Sequence, residues 1–251
     1  MEAARQHHEH GAHPDHAAGH GHGDDHRWSD ESFVADWLER QDAHAAERRP
    51  LFARVRALIP KGLNEAFRYA DLGAGPGILD ELILDRFPKA QAVLIDGSAP
   101  MLRHAHARLA RFGGRAEYVE ADLSEPGWMA RAPGPFDVVV AARAVHHAGN
   151  ADRIRELMRE IFDSLAPTGV FVNLDYVRLA SPAFQQLGTW AGRDPDASYQ
   201  ITTPHMELPA TVEDQLAWLR AVGFAAAECV YREFQTVIVV GVRDEIPVPE
   251  E

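Results

Sequence analysis

Three glycines separated by single residues occur in Asp71-Leu72-Gly73-Ala74-Gly75-Pro76-Gly77, between a strand-like run and an apolar helical pattern, Ile78-Leu79-Asp80-Glu81-Leu82-Ile83-Leu84. Glycine permits left-handed dihedrals and a close approach of backbone to ligand, and the helix start beyond it offers unpaired N–H groups. The dinucleotide pattern G-x-G-x-x-G needs glycine at position 78, where Ile78 stands. No Gly-Lys-Ser/Thr follows, which removes a phosphate-binding P-loop. No tyrosine has a lysine four residues on, which removes a short-chain reductase pair.

The carboxylates downstream suit a nucleoside carrying an amino-acid tail, S-adenosylmethionine. Asp96 closes the second strand-like run, where it can accept hydrogen bonds from both ribose hydroxyls. Asp122 lies just past the third, placed to accept from an adenine amino group, with the Leu123 backbone against the ring. Met101 is placed to pack on the adenine face. Asp71 and the loop N–H groups can hold the ammonium and carboxylate of the tail, an end that, unlike a pyrophosphate, benefits from a neighbouring acid.

These residues need a frame, and the hydrophobic pattern supplies one. Strand-like runs at 69–72, 92–96, 117–120, 136–141 and 170–174 alternate with helical patterns at 77–87, 99–112 and 152–165. Near-continuous apolar strands alternating with helices predict a Rossmann-like, doubly wound, mostly parallel α/β sheet with ligands at the carboxyl ends of its strands. Ahead of it, Ser29 or Asp30 caps one helix expected to run to about residue 49, stopped or followed by Pro50, and a second helix spans 51–59. After the fifth strand, 176–210 reads as a substrate-side insertion with a helical piece at 183–191. A helix at 212–222 and strands at 226–231 and 236–242 finish the sheet with an antiparallel hairpin. The expected organisation is a His-rich tail (1–26), a helical cap (27–62), the sheet domain (63–243) and a short tail (244–251).

At this point a family likeness is visible. Asp71-Leu72-Gly73-Ala74-Gly75-Pro76-Gly77, Leu94-Ile95-Asp96-Gly97-Ser98-Ala99-Pro100-Met101-Leu102, Ala121-Asp122-Leu123 and Phe136-Asp137-Val138-Val139-Val140 resemble the successive motifs of class I S-adenosylmethionine-dependent methyltransferases. Val145-His146-His147 and Leu165-Ala166-Pro167-Thr168-Gly169-Val170 resemble the ends of strand four and the entry to strand five in small-molecule members, with Thr168 replacing a glycine. The resemblance implies a seven-stranded sheet with its last strand antiparallel, and a cofactor site made by Asp71, Gly73, Ala74, Gly75, Gly77, Asp96, Gly97, Met101, Asp122 and Leu123. Trp218-Leu219-Arg220-Ala221-Val222-Gly223-Phe224 and Tyr231-Arg232-Glu233-Phe234 are similar to the branch holding the carboxy-S-adenosylmethionine synthases. A carboxylated cofactor wants a basic partner after strand five, and residues 194–219 contain no Lys or Arg. Ordinary S-adenosylmethionine is therefore the expected cofactor, with Arg193 and Arg143 as the residues through which the carboxylated form could still bind.

Methyl transfer is an in-line displacement, so the protein aligns the nucleophile and excludes water, and a base is needed only for a protonated nucleophile. His146 is the candidate base, against a competing role in shaping the pocket floor. Arg143, His147 and Tyr176 are candidate substrate contacts, and Arg143 suits either a substrate carboxylate or a neighbouring acid such as Asp122 or Asp175. Asp175 reads as a cap or orienting acceptor, His205 as an outlying candidate, and His104 and His106 as surface residues. No metal site is assigned. The tract 1–26 holds eight of the 14 histidines and reads as a solvated tail, with weak divalent-metal binding as the alternative, and a metal-responsive binding protein as the non-enzyme reading.

The chain has 251 residues and a formal charge of −13, from 25 Lys+Arg against 38 Asp+Glu. That acidity disfavours nucleic acid and anionic membranes as partners. No apolar run approaches the roughly 20 residues of a membrane span. The single Cys229 excludes an intrachain disulfide and fits a reducing cytoplasm, as a small buried residue. The expected protein is a cytoplasmic monomer or homodimer acting on a small molecule.

Overall fold

The structure is a computed structural model that describes residues 28–43, 45–191 and 208–246. The tract 1–26, Arg193, His205 and residues 192–207 of the expected insertion lie outside the described residues.

Seven strands form one sheet: β1 (Phe67–Leu72), β2 (Ala90–Asp96), β3 (Ala116–Glu120), β4 (Phe136–Ala142), β5 (Leu165–Tyr176), β6 (Ala226–Glu233) and β7 (Thr236–Val242). Their order is β3-β2-β1-β4-β5-β7-β6, parallel throughout except that β7 runs antiparallel to both neighbours. The strand order reverses between β1 and β4, which opens a crevice at their carboxyl ends. Helices α1 (Glu31–Ala43), α2 (Ala45–Ala57), α3 (Ile78–Arg86), α4 (Ala99–Leu109), α5 (Ala151–Ser164), α6 (Pro182–Ala191) and α7 (Val212–Val222) complete the fold.

Side chains alternate across each strand, so the central strands feed two cores. On one face Tyr69, Leu94, Val138, Val140 and Val172 pack with Leu51, Phe52 and Val55 of α2, Leu82 and Ile83 of α3, and Leu102 and Leu109 of α4. On the other, Leu72, Val139 and Phe171 pack with Ile154, Leu157 and Ile161 of α5 and Leu219 of α7. Helices α4, α5 and α7 start where side chains satisfy their first N–H groups. The Ser98 hydroxyl accepts from Met101 N–H (3.2 Å), Asn150 accepts from Asp152 and Arg153 N–H (3.0 Å each), and Thr211 forms a capping box with Asp214.

Three boundaries differ from the sequence-based expectation. Pro50 neither stops nor opens a helix: α1 ends at Ala43 and α2 runs through Pro50. A proline inside a helix costs about 3 kcal/mol. Burial of Leu51, Phe52 and Val55 just beyond it offsets that loss, at roughly 1.5–3 kcal/mol per large side chain. The helix expected to reach Phe112 ends at Leu109 and tightens into a 3-10 turn over Ala110–Arg115, broken at Gly113, whose φ is 60°. The fifth strand begins at Leu165 rather than at 170. Leu165 pairs with Phe136 and Val170 with Val138, so the Pro167-Thr168-Gly169 stretch bulges between them.

The α5 seam carries the stability of the second core. Leu157 is fully buried there. We expect Leu157→Ala to cost about 2–5 kcal/mol, read as a lowered urea midpoint with an unchanged m value.

Candidate functional site

The glycine loop is fastened to the end of the neighbouring strand. Gly73 and Ala74 both donate to the Ile95 carbonyl (2.8 and 3.1 Å), and Gly75 donates to Asp96 Oδ2 (2.8 Å). Gly73, Gly75 and Gly77 have φ of 67°, 53° and 74°, a region that favours glycine. At Gly73 the space is closed as well: a Cβ there would lie 2.3 Å from the Ala144 Cβ. This close approach joins the loop after β1 to the turn after β4. At Gly75 an added Cβ would meet nothing within 4 Å, so that stretch of backbone is open to a ligand.

Asp96 ends β2 and accepts one N–H on each oxygen, from Gly75 and from Ser98 (2.8 Å). A second lone pair remains on each oxygen, which suits two adjacent hydroxyls. Burial nonetheless raises its pKa, and the nearby Asp122 adds to the rise, while the two N–H groups oppose it. Gly97 sits against Asp122, where an added Cβ would lie 3.5 Å from the Asp122 Cα. Asp122 holds its own turn by accepting from Ser124 N–H (2.8 Å). The Leu123 carbonyl is taken by Arg153 Nε (3.0 Å), which leaves its N–H as the backbone group for a ring. Met101 is buried in the first turn of α4.

Asp71 is also buried, and its carboxyl lies against Asp80 of α3. The Tyr69 hydroxyl donates to Asp80 Oδ1 (3.0 Å). Burial pushes the Asp71 carboxyl well above the usual carboxylate range, reinforced by the charge of Asp80. Burial also raises Asp80, to about 6, against hydrogen bonds from Asp71, Tyr69 and its own backbone N–H. The Asp71–Asp80 pairing was not foreseen, although Asp80 is the one acid of α3 set among Leu79, Leu82 and Ile83 on its buried side.

The ends of β4 and β5 supply a different cluster. Val145–His147 is a 3-10 turn, and Asp175 is fully buried opposite it. Asp175 accepts from His146 backbone N–H (3.0 Å), from His146 Nδ1 (2.5 Å) and from Tyr176 N–H (2.9 Å). A carboxylate only accepts, so Nδ1 carries the hydrogen, and in the neutral ring Nε2 keeps its lone pair. Nε2 is buried and takes no hydrogen bond from the described residues. His147 is exposed, with its ring 3.9 Å from that of His146.

Arg143 has a φ of 60°, donates its N–H to the Leu174 carbonyl (2.7 Å), and lays its guanidinium over the Tyr176 ring at 5.0 Å. Burial raises the Tyr176 pKa, partly countered by the positive charges of Arg143 and of Arg48 from α2. Arg48 is buried and also lies over the Trp37 ring at 5.7 Å. Nothing in its local sequence singles it out, because only the packing of α2 over this cluster brings it near.

The remaining candidates fall outside the cluster. His104 and His106 are exposed on α4, and the Cys229 thiol, raised by burial, donates to the Tyr231 carbonyl (3.2 Å). Among the described residues no group of His, Cys, Asp and Glu could hold a metal, and no helix is long and apolar enough to cross a membrane.

Known proteins match this frame. Residues 70–169 match the family model described as "Methyltransferase domain". A trans-aconitate 2-methyltransferase of Rhodopseudomonas palustris (strain BisB5) is 35% identical over 117 residues, covering 45% of this chain and 40% of the relative. One from Azoarcus sp. (strain BH72) is 28% identical over 223 residues, covering 78% and 79%. The chain thus spans about two fifths of the length of the first of these relatives. Among solved structures, an O-methyltransferase family protein from Burkholderia thailandensis superposes with a TM-score of 0.65 at 21% identity, over 88% of this chain and 63% of that one, which shows the shared fold. The open Gly75 backbone and the spare lone pairs of Asp96 fit S-adenosylmethionine, the cofactor expected from the sequence.

Two substitutions check the site. Asp96→Ala is expected to weaken S-adenosylmethionine by about 1.5–3 kcal/mol, roughly ten- to hundredfold in Kd by calorimetry. Gly73→Ala forces a methyl into the Ala144 contact. We expect about 1–3 kcal/mol of lost stability together with weaker cofactor binding, read by urea unfolding and by the same calorimetry.

Proposed function

We propose that this chain, whose residues 70–169 are a class I S-adenosylmethionine-dependent methyltransferase domain, moves a methyl group to a small organic acid. One observation carries the reading. The close approach of Gly73 to Ala144 sets the glycine loop beside the turn bearing Arg143 and His146, which supports a crevice that cofactor and acceptor would share.

S-adenosylmethionine supplies a methyl on an activated sulfonium. Asp96 would hold its ribose, Asp122, Leu123 and Met101 its adenine, and the loop N–H groups of Gly73 to Gly77 its amino-acid end. The task of the rest of the chain is to bring one acceptor atom into line and keep water out. Arg143 and Arg48, both near the Tyr176 hydroxyl, create a positive field in an otherwise acidic protein. A carboxylate is the natural small-molecule partner of such guanidinium groups. Relatives named for methylating trans-aconitate, an acid, support the same class. His147 and Tyr176 would line the acceptor side.

Incubation with S-adenosylmethionine and a panel of small carboxylic acids, trans-aconitate included, should give a product heavier by one methylene. Absence of calorimetric binding at millimolar S-adenosylmethionine would overturn the reading.

A second reading concerns the accepting atom. A carboxylate oxygen needs no base, whereas a hydroxyl on the same acid does. Asp175 holds the His146 tautomer whose Nε2 can take a proton, which favours a hydroxyl acceptor. For a hydroxyl acceptor, His146→Ala should lower kcat by about 10²–10⁴ and leave the S-adenosylmethionine Kd within twofold. For a carboxylate acceptor kcat should stay within about tenfold of wild type. Single-turnover mass spectrometry separates the two.

A further inference from the structure

Two carboxyls almost wholly shielded from water lie beside the glycine loop. Asp71 and Asp80 are 1% and 0% exposed, and Asp71 Oδ1 and Asp80 Oδ2 find no hydrogen-bond donor among the described residues. Orphaned acceptors at this depth are costly, and two adjacent ionised carboxylates are costlier still. One proton held between the two groups removes both problems, because a protonated carboxyl becomes a donor to its neighbour.

The surroundings do not neutralise a second charge. Tyr69 of β1 donates to Asp80 Oδ1. Asp96 at the end of β2 adds a repulsive charge to Asp71, and Tyr118 of β3 lies within the field of Asp80. The guanidinium of Arg115 acts on Tyr69 and donates to the Leu84 and Phe87 carbonyls. From α4, Arg108 bonds the Pro76 carbonyl and Glu81, on the other side of α3. Among the described residues no cation therefore touches the pair itself.

Asp71 stands two residues before Gly73, and its charge couples to Asp96, whose carboxylate holds Gly75. A ligand seated between the loop and Asp96 lies inside the field of the pair. S-adenosylmethionine carries an ammonium and a sulfonium against one carboxylate, a net positive charge. In a poorly solvated site such a charge favours the ionised form of a nearby acid.

We propose that Asp80 is a positioning residue of the cofactor loop, sharing one proton with Asp71 in the empty protein and releasing it to solvent when the cationic cofactor binds. The inference rests on the S-adenosylmethionine reading above. No bond other than the carboxyl O–H breaks, and the proton passes to buffer. The sign follows: burial favours the protonated pair, and the cofactor favours the ionised one, so cofactor affinity rises with pH through the range in which the pair titrates.

The test is calorimetric titration of the full chain with S-adenosylmethionine near neutral pH in buffers of different ionisation enthalpy. The wild type should show a slope equal to release of roughly half a proton or more per cofactor bound. Asp80→Asn, which can donate to Asp71 without titrating, should bind cofactor with that slope abolished. Asp80→Ser is the second variant, with the same expectation, should the first not fold. A merely structural tie between α3 and β1 would change stability in these variants and give no buffer dependence in the wild type. Binding without proton release, or equal release in wild type and both variants, overturns the inference alone. Absence of binding overturns the methyltransferase reading as well.

Discussion

The crevice depends on how the end of β2 captures the loop after β1. The Ile95 carbonyl takes the Gly73 and Ala74 N–H groups, and the Asp96 carboxylate takes those of Gly75 and Ser98. One strand end thereby fixes the loop on one side and the start of α4 on the other. Both loops are short, and both begin where parallel strands stop pairing, so their backbone donors would otherwise be unsatisfied. The same carboxylate that would meet the ribose thus also holds the loop.

This arrangement couples rigidity to function. Gly73 must lack a side chain because Ala144 occupies the place where its Cβ would stand. That contact transmits the position of the cofactor loop to Arg143 and His146 across the strand-order reversal. Asp175, fully buried at the end of β5, then fixes the His146 ring through its backbone N–H and its Nδ1. The glycine loop and the turn bearing Arg143 and His146 are consequently parts of one braced edge formed by β2, β1, β4 and β5.

The N-terminal helices join that edge rather than standing apart from it. Leu51, Phe52 and Val55 of α2 belong to the core on the β1–β2 face, and the Ser98 hydroxyl, which caps α4, also donates to the Trp28 carbonyl at 2.5 Å. The cost of Pro50 within α2 is borne because this packing outweighs a single lost helical bond. It also delivers Arg48 to the acceptor side, so the charge of the crevice depends on a segment outside the sheet.

The sequence by itself determined the sheet and the places of three acids along its carboxyl edge. Strand and helix periods are local, and glycines with carboxylates at fixed offsets from strand ends are readable along the chain. Asp71, Asp96 and Asp122 accordingly lie at the ends of β1 and β2 and just past β3, as their spacing implied. What only the tertiary structure decided were the pairings across elements: Asp71 with Asp80, His146 with Asp175, and Arg48 with Arg143 around Tyr176. None of these has a fixed sequence spacing, because each is set by helix packing on the sheet and by the depth at which a charge is buried. Local sequence therefore specified which groups stand at the strand ends, and three-dimensional packing set how deeply their charges are buried and which groups face them.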